Sequence, residues 1–380
     1  MAPAAPLTVR DLNRATLARQ GLLAPMRADS VGAAVERLGS LQAQHPEWPP
    51  VALASRSADP AITDLATGLA RREVVRASLM RITIHVVTAA DLWPMFTVCQ
   101  PMRLAQWRLL TKSDPIDSAL GKRMLAAHGV ALAALADGPV SSTELDRLMS
   151  AELGPIDSPI PRIRWRHLAA LVPLVHVPFD GERYGRSRYA VASEWLGRDQ
   201  PVLDDADARV HVTRRYLAAF GPASLDDLAA YVRRSGITGW RTAIASLRDE
   251  VITLHADDGR MLYDLADAPR PPADADARAR LLARWDSLLL SHATKTRDRI
   301  IAPEHRASVF SKNADVLPTF TVDGFVAGTW QLTRSEGAAR IALHPFDALP
   351  KRTREPLIVE AERVLALIAA DAERSVRVGA

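Results

Sequence analysis

Two glutamines lie two residues apart in the stretch Leu41-Gln42-Ala43-Gln44. A side-chain amide has an oxygen that accepts hydrogen bonds and a nitrogen that donates two. Two amides that face one space can therefore hold a water molecule or the edge of a base. A Gln-x-Gln pair has no chemical signature of its own, and two surface glutamines before a proline-rich loop are the alternative interpretation.

The backbone that carries this pair is expected to be extended. Apolar residues at helical spacing predict a helix over residues 31–39, and Pro46, Pro49 and Pro50 prevent it from continuing. Side chains two residues apart point to nearly opposite sides of a helix but to the same side of an extended chain. Extended backbone would therefore let Gln42 and Gln44 face one space.

Composition narrows the class of protein. The chain has 380 residues, of which 48% are hydrophobic and 24% charged, values typical of a folded globular protein with an ample core. No run of about 18 apolar residues predicts a membrane span, and the N-terminus lacks the charged and apolar regions of a secretion signal. The single cysteine, Cys99, excludes an internal disulfide and suits a reducing cytoplasm. The net charge of +4 permits a nucleic-acid partner without requiring one.

The middle of the chain contains an internal repeat. Gly138-Pro139-Val140-Ser141 aligns with Gly221-Pro222-Ala223-Ser224, and each serine is a predicted helix N-cap with an acid three residues later. In both copies a helix precedes this motif, a helix with a Trp-Arg pair follows, and a predicted hairpin turns at Asp-Gly (180–181 and 258–259). We interpret the copies as tandem winged helices, preceded by a more divergent one.

These elements predict a mainly α fold with β-hairpins, of the α+β class. We place the first winged helix with the glutamine motif at residues 1–118, the second at 119–198 and the third at 199–268. Residues 269–380 form a C-terminal α+β region with a predicted hairpin at Asp323-Gly324, a strand at 340–343 and a closing helix over 356–370.

Common catalytic motifs are missing from the sequence. There is no glycine-rich phosphate loop, no His-x-x-x-His or Cys-x-x-Cys pair and no Gly-x-Ser-x-Gly elbow, so we predict neither a metal nor a cofactor. Tandem winged helices suggest nucleic acid, and arginines of the second unit would neutralise phosphates from its third helix and its wing. A solvated arginine face is the alternative. The arginines are Arg162, Arg164 and Arg166 on the helix, with Arg183, Arg186 and Arg188 on the wing.

Four blocks in order carry a resemblance to a known family. They are 41–44 (Leu-Gln-Ala-Gln), 81–88 (Arg-Ile-Thr-Ile-His-Val-Val-Thr), 285–292 (Trp-Asp-Ser-Leu-Leu-Leu-Ser-His) and 317–324 (Leu-Pro-Thr-Phe-Thr-Val-Asp-Gly). Over nearly its whole length the chain resembles the winged-helix DNA glycosylases of the AlkZ and YcaQ type. The resemblance implies three winged helices and a β-rich region that form a concave DNA-binding scaffold. It also implies excision of N7-alkylated purines, and in some members the unhooking of interstrand crosslinks. Gln42 and Gln44 match the catalytic Gln-x-Gln of the AlkZ-like form.

The chemistry of such lesions suits two amides. Alkylation at N7 gives the purine a positive charge and makes it a good leaving group, so the glycosidic bond needs little help to break. Two amides can position a water below the sugar and stabilise a cationic transition state through their carbonyl oxygens. We therefore expect a monofunctional enzyme that fails on neutral lesions, since no lysine near the motif can form a Schiff base.

Further residues are expected to contact DNA or the lesion. Arg81, Thr83 and His85 would lie on one side of a strand, unless that strand packs inside the first unit. His45 adjoins the glutamines and can tune them. A grip on backbone phosphate is expected from Ser291, His292 and Arg297, with a structural role as the equal alternative. His344 is expected at a hairpin tip near the minor groove, whereas Trp48 and Trp165 are expected to pack.

The predicted partner is double-stranded DNA with an alkylated purine, bound by a monomer in the cytoplasm, in association with the nucleoid and away from membranes. A non-catalytic DNA-binding regulator would keep the basic wing and use the glutamines structurally. A protein-interaction scaffold would be indifferent to salt in any contact with DNA.

Overall fold

The fold, a computed structural model, is described for residues 5–156, 160–177, 188–233, 236–311 and 315–379. Its first unit places the glutamine motif between a helix and a short proline-rich helix. The elements of this unit are α1 (Val9–Arg19), α2 (Val31–Leu38), β1 (Leu41–Gln42), α3 (Trp48–Ala54), α4 (Pro60–Thr63), α5 (Leu65–Ala70), β2 (Val74–Ser78), β3 (Ile84–Thr88) and α6 (Leu92–Thr111).

Two expectations for the first unit change. Pro60 and the residues after it predict one helix that extends to Ala70, but two short helices form, because the Asp64 side chain accepts a hydrogen bond from the Thr67 amide at 3.2 Å and starts a new helix there. The β-branched residues at 82–87 predict a strand that begins at Ile82, but the strand begins at Ile84, because residues 80–82 form a 3₁₀ turn.

The second unit follows the predicted order of helices and hairpin. The Ser141 hydroxyl accepts a hydrogen bond from the Glu144 amide at 3.1 Å, as expected of an N-cap. The predicted turn at 180–181 lies outside the described residues. The elements are α7 (Ala119–Ala126), α8 (His128–Ala136), β4 (Val140–Ser141), α9 (Ser142–Leu153), α10 (Ile163–Leu171), β5 (Leu174–Val177), β6 (Arg188–Val191) and α11 (Ala192–Leu196).

The third unit confirms its predicted capping box and turn. Ser224 and Asp227 exchange hydrogen bonds with each other's amides, and Gly259 takes the positive φ of +84° that its turn requires. The acidic, polar composition of residues 199–207 predicts a linker, but the stretch ends in a helix, because the Asp204 side chain accepts a hydrogen bond from the Asp207 amide at 2.8 Å and caps that helix. The elements are α12 (Asp205–Phe220), α13 (Leu225–Val232), α14 (Thr238–Ser246), β7 (Val251–His255) and β8 (Met261–Leu265).

The C-terminal region forms a five-stranded sheet in the order β13-β12-β11-β10-β9. The hairpin predicted at Asp323-Gly324 is confirmed, and the closing helix packs beside a final strand, parallel to β12, that the sequence did not indicate. The elements are β9 (Arg280–Leu282), α15 (Ser287–Leu290), α16 (Arg306–Val309), β10 (Thr319–Val322), β11 (Phe325–Ser335), β12 (Ala338–Pro345), α17 (Lys351–Ile368) and β13 (Glu373–Val378).

The hairpins of the first two units join in one sheet. Its strand order is β1-β3-β2-β5-β6-β4, with Arg76 opposite His176 and Ala77 opposite Val175 at the β2–β5 seam. Since adjoining strands share backbone hydrogen bonds, the two units cannot move apart without breaking the sheet.

Two buried ion pairs connect distant parts of the chain. Arg19 of α1 donates to both carboxylate oxygens of Asp264 in β8, at 2.6 and 2.8 Å. Arg56 donates to Asp286 at 2.7 and 2.9 Å, and all four side chains are almost fully buried. Within the described ranges, no helix is both long enough and apolar enough to cross a bilayer.

Candidate active site

The glutamine motif is held in an extended conformation by its neighbours. Leu41 lies opposite Val86 and Gln42 opposite His85 in the antiparallel β1–β3 pair. The Ala43 amide donates to the Ile84 carbonyl at 2.7 Å. The extended conformation expected from the prolines is therefore confirmed for this segment.

The backbone amide and the backbone carbonyl of Ala43 both form hydrogen bonds within the protein. Its carbonyl accepts hydrogen bonds from Nε and Nη2 of the buried Arg76, at 3.2 and 3.0 Å. The residue between the two glutamines is thus fixed by one strand on its amide side and by a guanidinium on its carbonyl side.

Burial alternates along the motif. Leu41 and Ala43 are 2% and 1% exposed and belong to the core, whereas Gln42 is half-buried and Gln44 exposed. Since alternate residues of extended chain face opposite sides, both glutamines leave the backbone on the side away from the core.

The amide of Gln42 is oriented by Arg81. Arg81 Nη2 donates to Gln42 Oε1 at 3.1 Å, and Nη1 donates to the Tyr231 carbonyl of α13 at 2.8 Å. A guanidinium has only donors, so the atom it meets must be the amide oxygen, and the amide nitrogen points elsewhere. Arg81 was expected to face DNA from a strand; it lies instead in the 80–82 turn with φ of +56°, and its guanidinium binds protein atoms.

His85 completes this arrangement as a neutral ring. Its Nδ1 donates to the Thr83 carbonyl at 3.0 Å, which leaves Nε2 to accept from Arg81 Nη2 at 3.1 Å. Burial and then the Arg81 charge lower the pKa of His85 to about 3. Burial also lowers the pKa of Arg81 to about 10, so that the pair remains cation and neutral ring at neutral pH.

The structure also differs from the prediction that Thr83 and His85 face DNA together with Arg81. His85 is 1% exposed, so the alternative of a strand packed within the first unit is correct for it. The Thr83 hydroxyl is half-buried and donates to the Met80 carbonyl at 3.1 Å, within the same turn.

Gln44 lies at the edge of a cleft. Its Oε1 accepts from the Ile84 amide at 3.2 Å, which again identifies the oxygen because an amide N–H can only donate. The cleft lies between the shared sheet and helices α6 and α10, with Trp165 and Tyr189 of the second unit among its walls. Each glutamine oxygen therefore has one protein donor and keeps one lone pair for another partner.

His45 follows the motif on the surface. Its ring stacks on Trp285, with centroids 4.8 Å apart and planes 20° apart, and its Nδ1 lies 3.6 Å from Glu47 Oε1. This contact joins the glutamine loop to the block at 285–292, one of the four blocks that carry the resemblance.

The arginines of the second unit separate into two groups. Arg162 and Arg166 are exposed at the cleft, and Arg188 is exposed on β6. Arg164 is only 8% exposed, donates to the Gly154 carbonyl at 2.7 Å and lies 3.6 Å from Asp146, so its expected DNA contact is wrong. Arg183 and Arg186 lie outside the described residues.

The block at 291–297 has the structural role given above as the alternative. Ser291 and His292 are 0% and 1% exposed, and both expected phosphate contacts are wrong. His292 Nε2 donates to the Phe220 carbonyl at 3.1 Å and its Nδ1 accepts from the Ser291 hydroxyl at 3.0 Å. Arg297 is half-buried, stacks on Phe310 and donates to the His292 carbonyl at 3.2 Å.

His344 is exposed, but not at a hairpin tip. The β11–β12 turn lies at residues 335–338, and His344 lies near the other end of β12, opposite Thr329. The prediction that His344 lies at a hairpin tip near the minor groove therefore depended on a strand boundary that was wrong.

Other residues matter to the site without having been foreseen. Arg76 and the Tyr231 carbonyl hold the motif from other strands and from another unit, contacts for which local sequence gives no signal. Trp165, expected only to pack, lines the cleft. In the described ranges, no group of three or more His, Cys, Asp or Glu side chains is placed to hold a metal ion.

Comparisons with known proteins agree with this architecture. Residues 35–367 match the family described as DNA glycosylase AlkZ-like. A Streptomyces sahachiroi protein named interstrand DNA cross-link repair glycosylase is 24% identical over 327 residues, which cover 83% of this chain and 85% of that protein. The solved structure of Streptomyces sahachiroi DNA glycosylase AlkZ superposes with a TM-score of 0.80 at 21% identity, covering 99% of this chain and all of that one.

Proposed function

The chain belongs to the AlkZ-like DNA glycosylase family, and we propose that it hydrolyses the N-glycosidic bond of N7-alkylated purines in double-stranded DNA, with Gln42 and Gln44 positioning the water. The observation that carries this proposal is the pair of amides on one side of an extended segment. Both oxygens are oriented by protein donors, and Gln44 borders an open cleft.

The reaction needs no strong acid or base from the protein. The C1′–N9 bond breaks, its electron pair enters the purine and neutralises the charge that alkylation placed there, and the base leaves. A water oxygen bonds to C1′ and its proton passes to solvent. Because the leaving group is already activated, orientation of the water and stabilisation of positive charge at the sugar are what the enzyme must supply.

The free lone pairs of the two glutamine oxygens suit this task. Each oxygen can accept one hydrogen bond from a water and present partial negative charge to the developing oxocarbenium ion. The cation of Arg81 is held in place by Gln42, His85 and the Tyr231 carbonyl, so its donors are directed at the protein rather than at the sugar.

A monofunctional reaction is part of the proposal. The sequence has no lysine before Lys112, so no lysine adjoins the glutamine motif in the chain to attack C1′ and form a Schiff base. The product is then an abasic site with both strands intact.

The proposed scaffold is three winged helices, at 1–118, 119–198 and 199–268, followed by the β-rich region 269–380, binding duplex DNA as a monomer. The exposed Arg162, Arg166 and Arg188 supply phosphate contacts on the second unit. The relative from Streptomyces sahachiroi is named for interstrand cross-link repair, and we extend that activity to this chain as part of the proposal. It would then act on the chromosome in the cytoplasm.

The test is the fate of a duplex with one N7-methylguanine. We expect release of 7-methylguanine, and strand scission only after alkali. Gln44→Ala should abolish release while DNA affinity stays within a few-fold; Gln331→Ala, an exposed glutamine on β11, is the matched control. A crosslinked duplex should be unhooked, and a duplex with a neutral lesion such as 8-oxoguanine should remain intact.

Two results would refute the proposal. Full activity of Gln44→Ala would remove the glutamines from the mechanism. Tight binding to alkylated duplex without any abasic site would favour the DNA-binding regulator.

A further inference from the structure

The turn before β3 contains two consecutive residues with left-handed backbone. Arg81 has a φ of +56° and Ile82 a φ of +58°. Glycine and asparagine adopt this region readily, whereas the Cβ of a branched side chain such as isoleucine is crowded by its own backbone there. The backbone at Ile82 is therefore strained, and a glycine at this position would not be.

Surrounding contacts hold the turn in this conformation. The Leu79 amide donates to the Thr83 carbonyl at 2.9 Å, and the Ile82 amide donates to the Leu79 carbonyl at 3.1 Å. Leu79 and Met80 are 0% and 1% exposed and place the start of the turn in the apolar core. Strain of this kind persists only where the surrounding structure imposes it, and it is concentrated at functional sites.

Packing within the protein does not account for the isoleucine at position 82. Its side chain is half-buried and lines the cleft together with Gln44. Among the described residues, Ile82 neither belongs to a buried apolar cluster nor is one of the partly buried side chains that pack against such a cluster. The fold thus tolerates strain for a side chain that contributes to none of these clusters, which indicates a contact with a molecule outside the protein.

The position of Ile82 relative to the two glutamines limits what that contact can be. Arg81, the residue before it, donates to Gln42 Oε1 at 3.1 Å, and the amide of Ile84, two residues after it, donates to Gln44 Oε1 at 3.2 Å. Ile82 therefore lies in the chain between the donors that orient the two amides. A nucleotide whose C1′ meets a water held by both oxygens would come next to this side chain.

The chemistry of the side chain selects the sugar of that nucleotide. A sec-butyl group has neither charge nor hydrogen-bonding atoms, so it gains nothing from a phosphate or from the polar edge of a base. The C–H surface of a deoxyribose ring can be buried against it. This contact would also exclude water other than the molecule on the glutamines, so that the amide oxygens act on the developing positive charge at a lower dielectric constant.

We propose that Ile82 is a substrate-contacting residue whose side chain packs against the deoxyribose of the damaged nucleotide and holds C1′ at the water on Gln42 and Gln44. The inference rests on the proposed function and adds a residue to its machinery. The left-handed backbone directs the side chain to the cleft, and the strain is a consequence of that placement.

Ile82→Gly tests the proposal because it removes the side chain and relieves the strain together. We expect thermal unfolding at the same or a higher temperature, since glycine fits the left-handed turn. Single-turnover release of 7-methylguanine should be about tenfold slower. Affinity for undamaged duplex should stay within about twofold, because phosphate contacts dominate it.

Two further variants separate the side chain from the backbone. Ile82→Val keeps a branched apolar group and should retain most of the wild-type rate. Ile82→Asn adopts the left-handed region without the flexibility of glycine but has no apolar group, so it should be as slow as Ile82→Gly. The loss should be equal for N7-methylguanine and N7-methyladenine, since these nucleotides share the sugar and differ in the base.

Val359→Gly is the matched control. Val359 is a β-branched residue of α17 that is 64% exposed, has helical backbone and does not line the cleft. Glycine relieves no strain there, so the unfolding temperature should fall while the rate of base release stays unchanged.

Three results would overturn the proposal. A wild-type rate for Ile82→Gly or Ile82→Asn would mean that the side chain is not needed. A slower rate that accompanies a lower unfolding temperature in Ile82→Gly would mean that the residue only stabilises the turn. Unequal losses for the two purines would mean that the contact is with the base.

Binding to a duplex with one tetrahydrofuran abasic analogue separates this inference from the proposed function. The analogue has a sugar ring without a base, so nothing can be released from it. Wild-type protein should bind this duplex more tightly than undamaged duplex, and Ile82→Gly should lower that preference about fivefold. If the wild type releases no base, the proposed function fails, yet this loss of preference still supports the contact. If the preference is the same in both proteins, the contact fails whatever the activity.

Discussion

Replacing Arg81 with methionine would remove the group that orients the amide of Gln42. The side chain keeps most of its apolar length, but the donors to Gln42 Oε1 at 3.1 Å and to the Tyr231 carbonyl at 2.8 Å are lost. A hydrogen bond to a charged group contributes about 1.5–3 kcal/mol. If that energy restrains the productive amide orientation, kcat should fall by about 10- to 150-fold.

The assay is single-turnover release of 7-methylguanine, with DNA affinity and thermal unfolding measured in parallel. We expect kcat to fall while the affinity for DNA changes little, because the guanidinium binds protein atoms. Arg71→Ala is the matched control, since Arg71 is exposed and forms only a long 3.8 Å contact with Glu73 among the ion pairs of the described residues.

The opposite pattern would refute this reasoning. If Arg81 is a phosphate contact, as its sequence block suggested, the methionine variant should lose affinity and about one unit of salt slope with kcat unchanged. An unchanged kcat together with unchanged affinity would mean that Gln42 needs no orientation.

Three further outcomes are expected. Changing Arg162 and Arg166 together to glutamine should weaken binding to duplexes of any sequence and reduce the slope of log affinity against log salt concentration by about 2; an unchanged slope would place the DNA elsewhere. Asp264→Ala should lower the free energy of unfolding in urea by about 3–5 kcal/mol, because Arg19 would keep a buried charge without its carboxylate; a loss below about 1 kcal/mol would contradict this. Burial holds the pKa of His85 near 3, below its usual 6.5, so the unfolded chain binds a proton that the folded chain does not. This contribution to stability is complete above about pH 6.5 and is lost as pH falls towards 3, by about 1.4 kcal/mol per pH unit; urea titrations at pH 7 and pH 5 should show a smaller difference for His85→Gln than for the wild type.

Local signals in the sequence were sufficient for much of the architecture. Pro46 predicted that the glutamine segment leaves the helix, Ser141 and Ser224 predicted helix starts, and Asp258-Gly259 predicted a turn, because each acts through backbone geometry within a few residues. All of these are found where they were expected.

The surroundings of the glutamines could not be predicted in the same way. The β-branched residues after Arg81 predict that it belongs to a strand, whereas it occupies a left-handed turn, and its side chain reaches α13 through a contact that tertiary packing determines. One wrong prediction, the DNA contact of Arg164, was avoidable. Arg162 and Arg166 are one helical turn apart, and Arg164 between them points to the other side, as the helical period requires.

The seam between β2 and β5 fixes one wall of the cleft beside Gln44, the proposed lesion site. Its sheet wall runs across two units that are hydrogen-bonded into a single sheet, with Arg76 opposite His176 at the junction. The sheet wall is thus preformed, and no hinge lies between its two halves. Selection among lesions would then depend on whether the adduct fits a fixed shape on arrival, and not on a closing motion that follows binding.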